Sequence, residues 1–342
     1  MKWLKRVLIV FLVLFVVLLA CYYLQDRKTG KGIHDYEEYE LVTGWPHLPD
    51  SVTLGNPTGI GIDTSGNIVV FCRAGREWPL FGKMPGTAIA SRTILVLDPA
   101  NGRLTDSWGS DLFIMPHGLT VDKQNNVWVT DVGLHQVFKF SHDGKLLFKL
   151  GKAGEPGNDS VHFNRPTDVA VADDGSFYVS DGYGNSRVLH FSKNGEYLFE
   201  WGSKGSETGK FNIPHGIVLD SAGHVYVADR ENSRIQVFDS SGRFLKQFTA
   251  NNFGNICSVT IDSEHQQLIG IDDLSFLKLK HRGSDVLVFD TAGVVSNRFG
   301  RSGFYKGAAG WFHDVAVDKN GDIYTTDILN NKLYKFRKIT TK

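Results

Sequence analysis

From residue 45 onward the chain repeats itself. One unit, PHGLTVDKQNNVWVTDVGLHQVFKFSHDGKLLFKLG, runs from Pro116 to Gly151. The next, PTDVAVADDGSFYVSDGYGNSRVLHFSKNGEYLFEWG, runs from Pro166 to Gly202, and a third, PHGIVLDSAGHVYVADRENSRIQVFDSSGRFLKQF, starts at Pro214. The leading prolines are 50 and 48 residues apart, a period that belongs to propellers and solenoids. Within each unit four short alternating runs are separated by turn residues. In the first unit these are LTVD, VWVTD, QVFKF and KLLFKL. Turns this short join adjacent antiparallel strands, so each unit is a four-stranded meander, the blade of a β-propeller.

Weaker copies complete the ring. One begins near Pro57 (GIGIDTSGNIVVF) and carries an insertion before TILVLD. Another begins near Cys257 (SVTIDSEHQQLIGID), and the last begins at Phe312 (HDVAVDKNGDIYTTD). Six units predict an all-β, six-bladed propeller over residues 29–342. The last unit has three strands before the chain ends. The segment Glu37 to Thr43 resembles an outer strand and is expected to pair beside Lys332 to Phe336, closing the ring without an open edge. The repeated aspartates Asp131, Asp181, Asp229 and Asp327 are expected to cap turns between blades.

Aligning the units on the first-strand aspartate brings Thr58, His117, Thr167, His215, Cys257 and His313 into one column. Histidine occurs in units two, four and six, at spacings of 98 and 98 residues. In a six-fold ring alternate blades stand 120° apart, and the first strand of each lines the axis. Three equivalent side chains therefore converge. Three imidazoles with an open position are a catalytic zinc arrangement, although other divalent metals also accept histidine. The alternative is three channel-lining histidines making separate hydrogen bonds. His135, His142 and His281 read as surface or loop residues.

The start of the first strand and the end of the second lie on one rim, because the two form a hairpin. Arg73 of unit one and Arg230 of unit four align there, and Tyr183 of unit three sits one step further along. Arginine forks onto carboxylates, and tyrosine accepts a proton when neighbouring charge depresses its pKa. The alternatives are that Arg230 ion-pairs with a blade-tip acid and that Tyr183 packs. Cys72 and Cys257 are expected to stay unpaired, since blade six lies between them and a disulfide needs Cα atoms within about 7 Å.

Acidic and basic residues balance at 37 each, which gives no case for a nucleic-acid surface. Lys2, Lys5 and Arg6 precede an 18-residue run without charge, Val7 to Leu24, long enough to span a bilayer. Residues 1–28 are thus expected to form a single-pass transmembrane helix with the propeller on the extracytoplasmic side. A lipoprotein signal cut before Cys21 and a cleaved secretion signal are the alternatives.

The repeats resemble NHL repeats. More specifically, PHGLTVD…VWVTDVGLHQVFKF, RPTDVAV…VSDGYGNSRV and PHGIVLD…VADRENSRIQVF resemble peptidyl-α-hydroxyglycine α-amidating lyase, and the likeness extends from about residue 45 to 337. The resemblance implies a zinc-dependent carbon–nitrogen lyase that splits a peptidyl-α-hydroxyglycine into a peptide amide and glyoxylate. It implies zinc on His117, His215 and His313, Tyr183 as the catalytic base, and Arg73 and Arg230 at the substrate. It also implies a structural calcium held by the backbone carbonyls of Ile60 and Leu119 and the carboxylate of Asp314. In that chemistry zinc binds the α-hydroxyl, Tyr183 removes its proton, and the C–N bond breaks as glyoxylate forms.

Departures from the family pattern are specific. Its two disulfides would fall at Asn164 with Gly184 and at Tyr226 with Val237, and a methionine near the third histidine is replaced by Trp311. No copper monooxygenase domain precedes the propeller in this sequence, so a separate monooxygenase is expected to make the substrate. A smaller N-acyl-α-hydroxyglycine has the same reacting centre. Two other readings stand beside the lyase: a non-catalytic NHL module that binds a protein partner, and a metal-dependent hydrolase on the same propeller.

Overall fold

The computed structural model describes residues 6, 9–18, 38–79, 83–249, 254–273, 284–290, 293–300 and 310–339. Its strands form six four-stranded antiparallel sheets. Blades two, three and four follow the three clear repeats. Blade two, for example, is built from Pro116–Val121, Val127–Asp131, Gln136–Phe140 and Leu146–Leu150. Innermost strands are largely buried, while outermost strands are open to solvent, with Leu146 and Leu147 both exposed. The propeller expected from the period is therefore the observed fold.

The apolar residues of facing sheets form six clusters, one between each pair of neighbouring blades. Trp128 and Val137 of blade two, for instance, pack on Phe163, Val169 and Phe177 of blade three. The seam between blade six and blade one is built the same way, with Ala316, Tyr324 and Leu333 against Ile60, Val70 and Leu95. No single hydrophobic centre exists, so the axis itself is left for polar side chains.

Ring closure is as expected. Tyr39–Leu41 pairs antiparallel with Lys332–Lys338, Tyr39 facing Lys338 and Leu41 facing Phe336. Tyr39 is buried and stacks on Phe299 at 4.6 Å. Deleting residues 37–43 should destabilise the whole propeller by at least about 3 kcal/mol, the cost of removing one large buried side chain. Chemical denaturation checks this, and an unchanged midpoint would refute the closure.

The repeated aspartates cap the turn after the second strand and tie it to the segment that leads into the blade. Both Asp131 oxygens accept backbone N–H bonds, from Ile114 and Met115 on the incoming segment and from Gly133 and Leu134 in the following turn. Asp327 does the same with Trp311, Leu329 and Asn330.

Cys72 and Cys257 are buried and unpaired. The positions that carry disulfides in the resembling family are neighbours here. Tyr226 and Val237 are cross-strand partners, and Gly184 packs so closely on Asn164 that a Cβ would lie 2.1 Å from its side chain.

The transmembrane helix expected over residues 1–28 is not borne out. Among the described residues no helix is long and apolar enough to cross a membrane. Of that segment residues 6 and 9–18 are described, helical and exposed, and the rest lies outside the described residues.

Candidate metal centre and active site

Each histidine of the alternating column sits at a strand irregularity. In blade two Pro116 pairs with Asp131 and Leu119 with Val129, so His117 and Gly118 together oppose Thr130. The same extra residue occurs at His215 and His313, and at Thr58 and Cys257 in blades one and five. A β-bulge of this kind bends the strand and re-aims one side chain. Here it is repeated in the innermost strands of blades one, two, four, five and six.

The three imidazoles meet edge to face, with ring centroids 4.7, 4.7 and 5.0 Å apart. One ligand nitrogen from each lies within 4.8 Å of the others. Their tautomers follow from their partners. His117 Nδ1 lies 2.7 Å from the Thr167 carbonyl, His215 Nδ1 2.7 Å from that of Cys257, and His313 Nδ1 2.7 Å from that of Thr58. A carbonyl only accepts, so each Nδ1 carries the proton and each Nε2 keeps a lone pair. Burial and the nearby arginines push all three well below the usual histidine pKa, His313 to about 3, and neighbouring imidazoles add to the effect at His117 and His215. They are neutral at physiological pH. Three neutral, oriented Nε2 atoms are the donor set a divalent transition metal requires. Even blades supply the histidine, and odd blades supply the carbonyl that aims it. Gly216 permits this contact, because a Cβ there would meet the Cys257 carbonyl oxygen at 2.9 Å.

Tyr183 stands over this cluster. Its hydroxyl is 3.1 Å from His117 Nε2 and 3.0 Å from His215 Nε2, and Trp78 packs on its ring at 5.2 Å. Burial raises the phenol pKa, while Arg230 and Arg73 pull it down. The two arginines differ. Arg230, in a turn of 3-10 helix over Arg230–Asn232, is bonded through Nε at 2.8 Å and Nη2 at 2.5 Å to the buried carboxylate of Asp273. Arg73 is also buried, but its Nε donates to the Pro116 carbonyl at 3.1 Å, and it has no carboxylate partner among the described residues. Burial lowers its pKa to about 10, so it remains a cation. The alternative reading of Arg230, an ion pair with an acid, is thus what the structure holds, and Arg73 carries the uncompensated charge. A cavity of about 630 Å³ joins Tyr183, His215, His313, Arg73 and Arg230, with Trp311 in its wall.

Next to the histidines on the axis lie two carboxylates. Asp314 accepts the Ser258 hydroxyl at 2.6 Å and the Ile60 N–H at 2.8 Å. Asp168, opposite in blade three, accepts N–H bonds from Val169 and Ile217. Burial raises both pKa values, and the charge of Asp314 raises that of Asp168 further. Neither has a basic partner among the described residues. Two such carboxylates fit a hard divalent cation. Ile60 and Asp314 are brought together, and Leu119 lies on the innermost strand of blade two, packed under Gly59. Asp168 was not singled out from sequence, although it occupies the same aligned column as Asp314.

Other histidines are distributed as follows. His142 is a partly exposed partner of Asp63 at 3.0 Å. His135 is buried rather than superficial, its Nδ1 accepting the Arg165 N–H at 3.0 Å. His281 lies outside the described residues.

The NHL repeat family matches residues 113–140, 163–191 and 211–238. Peptidyl-glycine alpha-amidating monooxygenase B of Xenopus laevis is 35% identical over 330 residues, covering 91% of this chain and 36% of that protein. Peptidyl-alpha-hydroxyglycine alpha-amidating lyase 1 of Drosophila melanogaster is 40% identical over 231 residues, covering 61% of this chain and 42% of that protein. The chain thus spans less than half the length of these relatives. Among solved structures, a gluconolactonase from Xanthomonas campestris superposes with a TM-score of 0.58 at 16% identity, covering 92% of this chain and 99% of that one, a likeness of fold. Over its NHL-repeat propeller, this chain is a homologue of the peptidyl-α-hydroxyglycine α-amidating lyases.

Proposed function

We propose that the protein is a zinc-dependent carbon–nitrogen lyase that converts a peptidyl- or N-acyl-α-hydroxyglycine to an amide and glyoxylate. The observation that carries the reading is the convergence of three Nε2 lone pairs beneath the Tyr183 hydroxyl, with Arg73 uncompensated alongside. His117, His215 and His313 would hold the metal, which when bound supplies Lewis acidity to the α-hydroxyl. Arg73 binds the substrate carboxylate and fixes the α-carbon beside the histidines. Arg230 and Arg73 pull the Tyr183 phenol pKa down, against the larger effect of burial, which raises it. Tyr183 takes the hydroxyl proton. The electrons of that O–H bond form the aldehyde C=O as the C–N bond breaks, and the departing amide nitrogen gains a proton. Reactant and products therefore balance without a co-reactant.

The test is glyoxylate release from benzoyl-α-hydroxyglycine by the soluble propeller, with metal content measured on the same preparation. Metal-replete protein that yields nothing above the spontaneous rate would overturn the reading. A protein-binding module predicts no stoichiometric metal at all.

Asp314 and Asp168, with the Ile60 and Leu119 carbonyls, are our proposed calcium site. Both carboxyls hold protons above the ordinary carboxylate range when no cation is present, so the folded state binds protons that the unfolded state has lost. Stability then falls as pH rises above that range. Calcium replaces those protons and should raise the thermal midpoint more at pH 8 than at pH 5. Equal shifts at both values would count against the site.

The charge-free run after Lys2, Lys5 and Arg6 supports a proposed N-terminal membrane anchor, with the propeller outside the cytoplasm. The hydroxylated substrate would come from a separate monooxygenase reaction on a glycine-extended peptide.

A further inference from the structure

A substrate with its carboxylate on Arg73 and its hydroxyl at the histidines has its acyl side directed out of the cavity. The exposed residues of the cavity wall are Glu77 of blade one and Leu329 and Asn331 of blade six. Its mouth therefore opens at the seam between those blades. Trp311, Ile328 and Leu329 make the wall apolar on the blade-six side.

A second concavity, about 830 Å³, begins at the same place. Asn331 lines both, and Gly55 and Gly75 of the groove are next in sequence, or nearly so, to Asn56 and Glu77 of the cavity. The boundary is a built feature. Asn331 Oδ1 accepts the Asn56 N–H at 2.6 Å, and both asparagines have left-handed backbone, with φ of 53° and 52°. This hydrogen bond lies on the boundary that the two spaces share. Beyond it the groove is lined by Val42, Leu48, Val52, Leu54, Leu333 and Tyr334, an apolar surface of ligand scale.

We propose that this groove is a subsite for the peptide chain upstream of the α-hydroxyglycine, and that it selects peptidyl substrates with apolar residues there over small N-acyl-α-hydroxyglycines. The proposal rests on the lyase reading for the direction in which the substrate lies. Its occupant is fixed by continuity: whatever is attached to the acyl carbon leaves by the mouth, crosses Asn331 and meets the apolar lining.

The experiment compares kcat/KM for N-acetyl-α-hydroxyglycine with that for an acetylated peptide ending in Leu-Val-Phe-α-hydroxyglycine. Each is measured in the wild type and in Thr53→Trp and Thr53→Glu, at an exposed position of the groove. Thermal unfolding verifies that each variant is folded, and either folded variant suffices. The expected peptide-to-acetyl ratio is at least tenfold in the wild type and falls toward one in the variants. A wild-type ratio near one, with both substrates turned over, overturns the groove and leaves the lyase reading standing. If neither substrate yields glyoxylate, the lyase reading fails by itself. Fluorescence anisotropy with the labelled peptide ending in plain glycine, which has no hydroxyl to react, then decides the groove. Tenfold weaker binding in the Thr53 variants supports the subsite, and unchanged binding overturns it.

Discussion

Tyr183→Phe should lower kcat for glyoxylate release by about 10²–10⁴-fold, the range for loss of a positioned general base, while metal content and thermal midpoint stay at wild-type values. The ring remains to pack against Trp78 at 5.2 Å, so only the hydroxyl between His117 and His215 is removed. Metal analysis, unfolding and steady-state kinetics on one preparation separate this outcome from misfolding. Retention of wild-type kcat would remove Tyr183 from the proton path and leave the proposed chemistry without its base.

The second large effect distinguishes the arginines. Arg73→Ala should cost about 2–5 kcal/mol of transition-state binding, the penalty for leaving a buried charge unpaired. That corresponds to a loss of about 30- to several-thousand-fold in kcat/KM. Arg73→Lys should rescue little, because an ammonium does not reproduce the fork. Arg230→Ala should act differently. It strands the Asp273 carboxylate, buried and already raised to about 6 by desolvation against the pull of Arg230. The expected result is a stability loss of about 3–5 kcal/mol. If Arg230→Ala instead raised KM with stability intact while Arg73→Ala did not, the carboxylate would belong on Arg230.

The parts of this site that sequence exposes are those tied to the repeat. Once each unit is four alternating strands, an aligned column is a ring of positions, and His117, His215 and His313 fall on alternate blades without further assumption. Arg73, Arg230 and Tyr183 follow from hairpin geometry. What stays hidden depends on contacts between blades. Asp168 lies in a Thr-Asp pair that looks like any strand start, and its meaning comes from Asp314 on the opposite side of the axis. Asp273, which sets Arg230 apart from Arg73, belongs to the blade whose repeat is weakest. Trp78 comes from the insertion in blade one, where no period constrains the chain. The bulges were invisible as well, because a one-residue irregularity changes register and leaves the hydrophobic pattern intact.

The carbonyl that aims His313 belongs to Thr58, so one of the three aiming bonds crosses the seam where the first and last blades meet. The other two, Thr167 to His117 and Cys257 to His215, join blades already consecutive in the chain. An ion held by the three histidines would act as a hub tying three staves of a hoop, one of them beside its joint. By linkage, whatever loosens the joint must weaken the ion, and the ion must tighten the joint by the same free energy. Fraying of Tyr39–Leu41 from Lys332–Lys338, far out on the circumference, should therefore be felt as metal loss at the centre before the propeller unfolds.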